Sequence, residues 1–369
     1  MKRNIVIFIL IFSVFLMGSY YEVPFEKQFE AVEKSKLFEA LPKEAESILE
    51  TIGIDGFDIE SISSVSFFDI IRLIYESILI KIKEPFIAVA AITASAIICA
   101  IAKSFEENFS ETGKIIDIIS VLSAFTIFLV PIKNVMVSSA EIIDNCSDFI
   151  LAFIPVYSSA VAASGYVTAA TGFHSLMLAT VTLISQISSE LIAPLICIFL
   201  ALTIAGSISE INIGEISKSV KNFAVWILGL LMTIFSAVMG LGTLISSSTD
   251  GALSKTAKFI IGSTVPIIGS TVSEAFLTVK SCIVVTKNFL GIYAIIAIFI
   301  IFLPSIISLF SWKICLSIAS VIGGISENKT ITNLLSSASS VLGIMLALVI
   351  VTAIVFIFSV SIILLVGGT

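Results

Sequence analysis

Long apolar runs, separated by short polar stretches, fill most of the chain. A helix needs about 20 apolar residues to cross a bilayer. Runs near or above this length occupy residues 86–102, 115–130, 149–165, 173–206, 223–245, 289–310 and 341–366. The pattern predicts an all-α protein, a polytopic transmembrane helical bundle of about 6–8 spans, some of them broken at proline.

The composition supports this class and shows where the charge lies. The 369 residues are 57% hydrophobic and 13% charged, whereas soluble domains are about 25% charged. Mean hydropathy is +1.14. Residues 22–84 hold 14 acidic and 7 basic residues, and the rest of the chain holds 13 of each, so the net charge of −7 lies in one N-terminal region. This distribution argues against nucleic-acid binding, which requires a basic face.

The N-terminal 84 residues divide into two parts. Residues 1–19 carry Lys2 and Arg3 before a short apolar run, the pattern of a signal peptide or signal anchor. Residues 20–84 are predicted to form a small, acidic, extracytoplasmic helical region, with a helix that starts near Pro42 and ends at Gly53 and Gly56. Residues 85–369 form the predicted transmembrane domain.

The apolar run 173–206 is too long for one simple span and contains the polar sequence SQISSE. One charge at the centre of a membrane helix costs about 2.5–3.5 kcal/mol on insertion scales. Gln186 and Glu190 are therefore a candidate intramembrane polar site. Either two short spans meet there, or a broken helix faces the protein interior.

A second polar stretch lies between two predicted spans, where residues 115–130 are expected to end at Pro131. In residues 133–148, Glu141, Asp144 and Asp148 fall on one helical face. Such a face is typical of a solvated helix, although it could also attract cations.

Proline spacing suggests an internal repeat of about 110 residues. Pro155 and Pro266 are 111 residues apart, and Pro194 and Pro304 are 110 apart. The predicted units are 115–222 and 223–333. Interrupted helices at matching positions are typical of transporters and channels. The alternative is a chance match among eight prolines.

The stretch 250–291 is unusual because it combines apolar sequence with charges and helix breakers. We expect a helix, a break at Pro266 and a second helix, and we treat the stretch as a candidate gate or docking motif. Its alternative is a helix in the membrane interface with snorkelling lysines. The motif residues are Asp250, Gly251, Lys255, Lys258, Pro266, Gly269, Glu274, Lys287 and Gly291.

The sequence offers no pattern typical of catalysis. No phosphate-binding loop or HExxH motif is present, His174 is the single histidine, and the five cysteines are isolated from one another. We therefore expect no enzymatic activity, no cofactor and no metal site.

The spacing DG-x3-KTAKF-x6-P-x2-G-x3-SEA, followed by SC-x4-KN-x2-G, spans Asp250 to Gly291. It resembles the stage III sporulation protein AE family. LPKEAESILETIGIDGFDIESI and SFFDII in the N-terminal region also resemble that family.

The resemblance implies a multi-pass subunit of the mother-cell membrane around the forespore. It would belong to a channel or secretion-like complex with sister proteins of the same operon, including a secretion-type ATPase and ring-forming proteins. The residues leave open a homo-oligomer, and also a stand-alone secondary transporter or channel for a small solute.

Overall fold

Helices make up all the regular structure that the computed structural model describes, and the membrane helical class is confirmed. It describes residues 37, 39–54, 59–104, 110–164, 166–208, 218–219, 221–230, 232–233, 235, 269–325 and 329–365. The elements are α1 (Lys43–Thr51), α2 (Ile59–Ser64), α3 (Phe67–Lys81), α4 (Lys83–Ser104), α5 (Ser110–Ala163), α6 (Val167–Ser185), a π-helix (Gln186–Ile192), α7 (Ala193–Ile208), α8 (Lys221–Leu230), α9 (Gly269–Ile325) and α10 (Lys329–Leu365).

Five of the described helical stretches are long and apolar enough to cross a membrane. They are Phe68–Ala102, Ile118–Ala163, Val167–Leu202, Val284–Gly324 and Thr330–Ser361. The predicted span 86–102 lies in the first. Most of the predicted span 223–245 lies outside the described residues.

Helix α5 corrects the prediction that a span ends at Pro131. It continues through Pro131 and Pro155 as one helix of 54 residues, about 80 Å long. Each proline removes one backbone hydrogen bond. In long apolar helices such losses are tolerated because neighbouring helices and local adjustments compensate for them. The predicted span 115–130 and most of the predicted span 149–165 are thus parts of one helix.

The centre of the molecule is an antiparallel hairpin of α9 and α10. Ser339 Oγ donates a hydrogen bond of 3.1 Å to the carbonyl of Lys313 and lies 2.8 Å from Ser317 Oγ. Farther from the turn, the rings of Phe302 and Phe356 lie 6.3 Å apart. Helices α4, α5 and α7 pack around this hairpin, so its side chains form most of the core.

The two helices of this hairpin end and begin within a Ser/Thr-rich stretch, residues 315–340. Helix α9 continues to Ile325, and α10 begins at Lys329. Polar side chains of the stretch pair the two helices, as the hydrogen bond of 3.2 Å from Ser320 Oγ to the Thr332 carbonyl shows.

The N-terminal region is helical where it is described. Helix α1 ends at Thr51, and Gly53 follows with φ of +85°, a conformation that favours glycine. This confirms the predicted end at Gly53, whereas Gly56 lies outside the described residues. Ser66 caps α3 in a capping box with Asp69.

These N-terminal helices pack onto the membrane helices. Leu73 of α3 forms a buried cluster with Leu303 and Ile307 of α9. The Lys81 ammonium lies 3.1 Å from Glu44 and joins the end of α3 to α1. Residue 82 alone separates α3 from α4, so the head is directly joined to the bundle. The predicted signal sequence, residues 1–19, lies outside the described residues.

The 110-residue repeat is not confirmed. Pro194 follows the π-helix in the second arm of the α5–α6 hairpin, whereas Pro304 lies inside α9, the first arm of the central hairpin. The two prolines therefore occupy different places in their hairpins. Pro266 lies outside the described residues, so the pairing of Pro155 with Pro266 stays a prediction.

Candidate functional site at the π-helix

The π-helix interrupts the path from α6 to α7 just before Pro194. Pro194 has no N–H, and its ring conflicts with the carbonyl four residues earlier, that of Glu190, in a regular α-helix. Widening the turn relieves this conflict. The amide of Ala193 accordingly donates to the carbonyl of Ser188, five residues earlier. Single π-turns inside helices occur frequently at functional sites.

Asp144 of α5 attaches this π-helix to the neighbouring helix. Ser185 Oγ donates to Oδ1 of Asp144 at 2.9 Å, and Ser189 Oγ donates to the same oxygen at 2.6 Å. The two serines are four residues apart and face α5 together. Hydrogen bonds to a charged acceptor are about twice as strong as neutral ones, so this contact fixes the π-turn against α5.

The polar candidates at this site are exposed on the surface of the chain. Gln186 and Glu190 are both exposed, whereas Ser188 is fully buried and its hydroxyl has no hydrogen-bond partner. The predicted broken helix is present. Within this chain Gln186 and Glu190 do not face the interior, because Asp144 and the serines draw the opposite side of the turn towards α5. Their role as an intramembrane polar site stays a prediction.

The acidic face predicted on α5 is also exposed. Glu141, Asp144 and Asp148 all lie on the surface of the chain, and only Asp144 among them accepts a hydrogen bond from a described residue. Glu190 is a further exposed carboxylate on the π-helix that packs beside α5. Among the described residues, no group of three or more His, Cys, Asp or Glu side chains is arranged to hold a metal ion.

The motif of 250–291 is described only from Gly269 onward. Asp250, Gly251, Lys255, Lys258 and Pro266 lie outside the described residues, so the predicted break at Pro266 stays a prediction. Gly269 is the first residue of α9, and the backbone of Glu274 is helical. Helix α9 then continues without interruption past Gly291.

Two motif residues lie one turn apart inside α9. Lys287 is fully buried, among the largest buried side chains of the described residues. Gly291 faces α10 so closely that an added Cβ would lie 2.5 Å from Cδ2 of Leu364. Lys287 and Gly291 therefore lie in the core of the central hairpin, and the role of the motif as a gate or docking element stays a prediction.

Sequence reasoning missed the contact between Asp144 and the serines. The sequence contained a signal, because Ser185 and Ser189 are four residues apart and precede Pro194. Nothing in the sequence, however, indicates that α5 continues past Pro131, and that continuation brings Asp144 beside them.

Comparison with known proteins identifies the family. The family model described as stage III sporulation protein AE matches residues 58–367. The chain belongs to the stage III sporulation protein AE family. The match includes both the π-helix and all of the motif 250–291.

One curated relative is the stage III sporulation protein AE of Bacillus subtilis (strain 168). It is 29% identical over 271 residues, which cover 70% of this chain and 66% of the relative. The chain thus matches just under two thirds of that relative's length. No solved structure matches the chain. Membership of the stage III sporulation protein AE family implies a role in sporulation.

Proposed function

We propose that this chain is a non-catalytic, multi-pass membrane subunit of a channel or secretion-like complex between mother cell and forespore. It would lie in the mother-cell membrane that surrounds the forespore and support forespore development. Its partners would be sister proteins of the same operon, including a secretion-type ATPase and ring-forming proteins. Membership of the sporulation family supports the biological setting.

The attachment of the N-terminal head to the bundle carries the proposal. Leu73, Leu303 and Ile307 bury their side chains together, so α3 has a fixed position on α9. The opposite side of α3 exposes Phe68 by 77% and Tyr75 by 61%. A rigid head with exposed aromatic side chains is suited to holding a partner at the membrane surface, because aromatic anchors dominate many protein interfaces.

The test is co-purification from sporulating cells with a tag on the full chain. We expect the sister proteins to be recovered with the tagged protein, and replacement of Phe68 and Tyr75 by serine to reduce recovery at least about tenfold, the change expected for a hot spot of 1.4 kcal/mol. Glu50→Ser, at an exposed position of α1, is the matched control. Removal of the whole head is a weaker test because it would uncover Leu303 and Ile307.

Absence of every sister protein from the purified material, with the tagged protein intact in the membrane, would overturn the proposal. Full recovery with the double serine variant would instead reject α3 as the contact surface.

A stand-alone secondary transporter or channel for a small solute is the second candidate. The observation that favours it is the interrupted helix with Asp144, Ser185 and Ser189, because transporter sites often use broken helices. Purified protein in liposomes would then take up a solute without other subunits. Asp144→Asn would reduce that uptake and Asp148→Asn would not. Lack of uptake for ions, amino acids and sugars would reject this candidate.

A further inference from the structure

The outward faces of the membrane helices differ sharply between two parts of the molecule. On α4 and the first half of α5, the exposed positions are aliphatic or aromatic, apart from the ends and Thr126. The large exposed side chains there are Phe86, Ile87, Ile97, Ile98, Ile101, Ile115, Ile118, Ile119, Leu122 and Val130. Such a surface is suited to lipid chains.

The second half of α5 and all of α6 present a different surface. The exposed polar positions there are Ser138, Glu141, Asp144, Asn145, Asp148, Ser159, Thr168, Thr171, Ser175 and Thr182. The exposed apolar positions are Val137, Leu151, Pro155, Ala163, Val167, Leu178, Ala179 and Leu183. The inner seam is apolar, with stacked Phe153 and Tyr157 rings 5.1 Å apart and Tyr157 packed on Phe173 at 5.2 Å. The hairpin therefore has an apolar inside and an outside on which hydroxyl, amide and carboxylate side chains alternate with apolar ones.

Three exposed carboxylates limit what the outer surface of the α5–α6 hairpin and the π-helix can contact. Glu141, Asp148 and Glu190 are exposed and make no hydrogen bond or ion pair with any described residue. A charged carboxylate at the bilayer centre costs about 2.5–3.5 kcal/mol on insertion scales. The hydroxyls alone would not exclude lipid, because Thr171 and Ser175 donate to backbone carbonyls of their own helix. Three exposed carboxylates without a described partner do exclude it, at the level of residues 141–148 and 190.

The register of the helices shows where the lipid ends. Ser95 Oγ of α4 lies 2.5 Å from Ser123 Oγ of the antiparallel α5, so the first turn of α4, with charged Lys83 and Glu84, lies level with residues near 135 of α5. Helix α4 has 22 residues and is about 33 Å long, the thickness of one bilayer. From that level α5 continues to Ala163, roughly 40 Å farther.

We infer that the second half of α5 and α6, residues 136–185, form an arm that projects from the bilayer into water. Its turn is the tip, and the π-helix lies at its base, where Asp144 fixes it. The arm lies on the same side of the membrane as the N-terminal head, because α3 leads directly into the first turn of α4. Residues 149–164 and 173–185 thus have the apolar composition of membrane helices but do not contact lipid. The inference does not depend on the proposed function.

Cysteine accessibility tests the arm in the full-length protein. All five native cysteines are first replaced by alanine, and single cysteines are introduced by Ser159→Cys, Thr171→Cys and Ser175→Cys on the arm. Ile97→Cys and Leu122→Cys are the lipid-facing controls, and Glu50→Cys in α1 is the water-facing control. Membranes opened on both sides are treated with a charged maleimide, which reacts only with thiols in water.

We expect the arm cysteines to react at a rate close to that of Glu50→Cys and at least about tenfold faster than Ile97→Cys, because a thiol must be hydrated to ionise and react. Reaction of all three arm cysteines as slow as that of the lipid-facing controls would overturn the inference.

A second measurement covers the case in which a cysteine variant folds poorly. A nitroxide attached at Thr171→Cys, in protein that elutes as a single species, is relaxed by oxygen in lipid and by a charged nickel chelate in water. Preferential relaxation by the chelate supports the arm, and preferential relaxation by oxygen contradicts it.

Discussion

Ser189 Oγ donates a hydrogen bond of 2.6 Å to Oδ1 of Asp144 and so joins the π-helix to the middle of α5. Ser185 donates to the same oxygen, which leaves one carboxylate as the common acceptor of two hydroxyls. Without it, the widened turn that Pro194 imposes would have fewer contacts with α5. The contact therefore stabilises both the π-turn and the base of the α5–α6 hairpin.

Asp144→Ala is expected to destabilise the protein by about 1–3 kcal/mol, because two hydroxyls lose a charged acceptor. Thermal unfolding in detergent, followed by tryptophan fluorescence, measures the effect. Asp144→Asn should cost less, because the amide oxygen can still accept. Asp148→Ala, one turn farther along the same helix, is the control and should lie within about 0.5 kcal/mol of the parent. Equal losses of stability for Asp144→Ala and Asp148→Ala would show that the hydrogen bonds from Ser185 and Ser189 to Asp144 do not stabilise the protein.

Gly291→Ala is expected to destabilise the central hairpin, because its Cβ would lie 2.5 Å from Leu364 Cδ2. Gly229→Ala is the matched control, since nothing lies within 4 Å of its Cβ. Alanine in a helix is favoured over glycine by about 1 kcal/mol, so Gly229→Ala should be neutral or stabilising. Adding Leu364→Ala to Gly291→Ala should recover part of the loss. Unfolding temperatures of the parent, the two single variants Gly291→Ala and Leu364→Ala, the double variant and Gly229→Ala test this order. Independent, additive effects of Gly291→Ala and Leu364→Ala would show that the two residues do not interact.

Two substitutions at Lys287 separate the contribution of its buried volume to stability from that of its charge. Its side chain is fully buried in α9, so Lys287→Ala removes buried volume and should cost about 2–5 kcal/mol, as other large-to-small core changes do. Lys287→Met keeps most of the length without the charge, so the difference between its unfolding temperature and that of Lys287→Ala measures the contribution of the buried volume.

Spore formation then reports on the charge itself. If the ammonium has a role in the complex, cells with Lys287→Met will hold a normal amount of the membrane protein and form few heat-resistant spores. Spore counts and immunoblots on the same culture measure both quantities. Normal sporulation by Lys287→Met would assign this residue to packing alone.

Leu73→Ala should loosen the N-terminal head from α9, because Leu73 is buried against Leu303 and Ile307. Limited proteolysis in detergent should cut within α1–α3 several-fold faster than in the parent, since local opening exposes the backbone. Phe68→Ala changes a side chain that is 77% exposed on the same helix and should leave the cleavage rate unchanged. Similar acceleration by both changes would mean that the head is not held by this cluster.

The helical membrane class followed from hydropathy alone, because long apolar runs leave few other folds. The end of α1 followed from Gly53, whose positive φ suits glycine. The lengths of the helices could not be predicted from the sequence. Pro131 breaks a helix in water, but α5 continues past it, since packing in a bundle outweighs the loss of one hydrogen bond.

The candidate site was predicted in part. Polar residues inside an apolar run indicated Gln186 and Glu190, and the helix is indeed interrupted there. The partner Asp144 lies about 40 residues earlier in the chain, and only the antiparallel pairing of α5 with α6 brings it near. Burial of Lys287 was also beyond sequence reasoning, because a lysine among apolar residues is as consistent with snorkelling to the surface.

The length of α5 has a mechanical consequence. A continuous helix resists bending. A change in its tilt where it leaves the membrane therefore moves its far end by a distance that grows with the length of the helix. For a segment of roughly 40 Å, a tilt of about 10° displaces the tip by about 7 Å. Such a tilt would move the tip by more than the pitch of one helical turn, at a distance from the membrane where another protein could detect it.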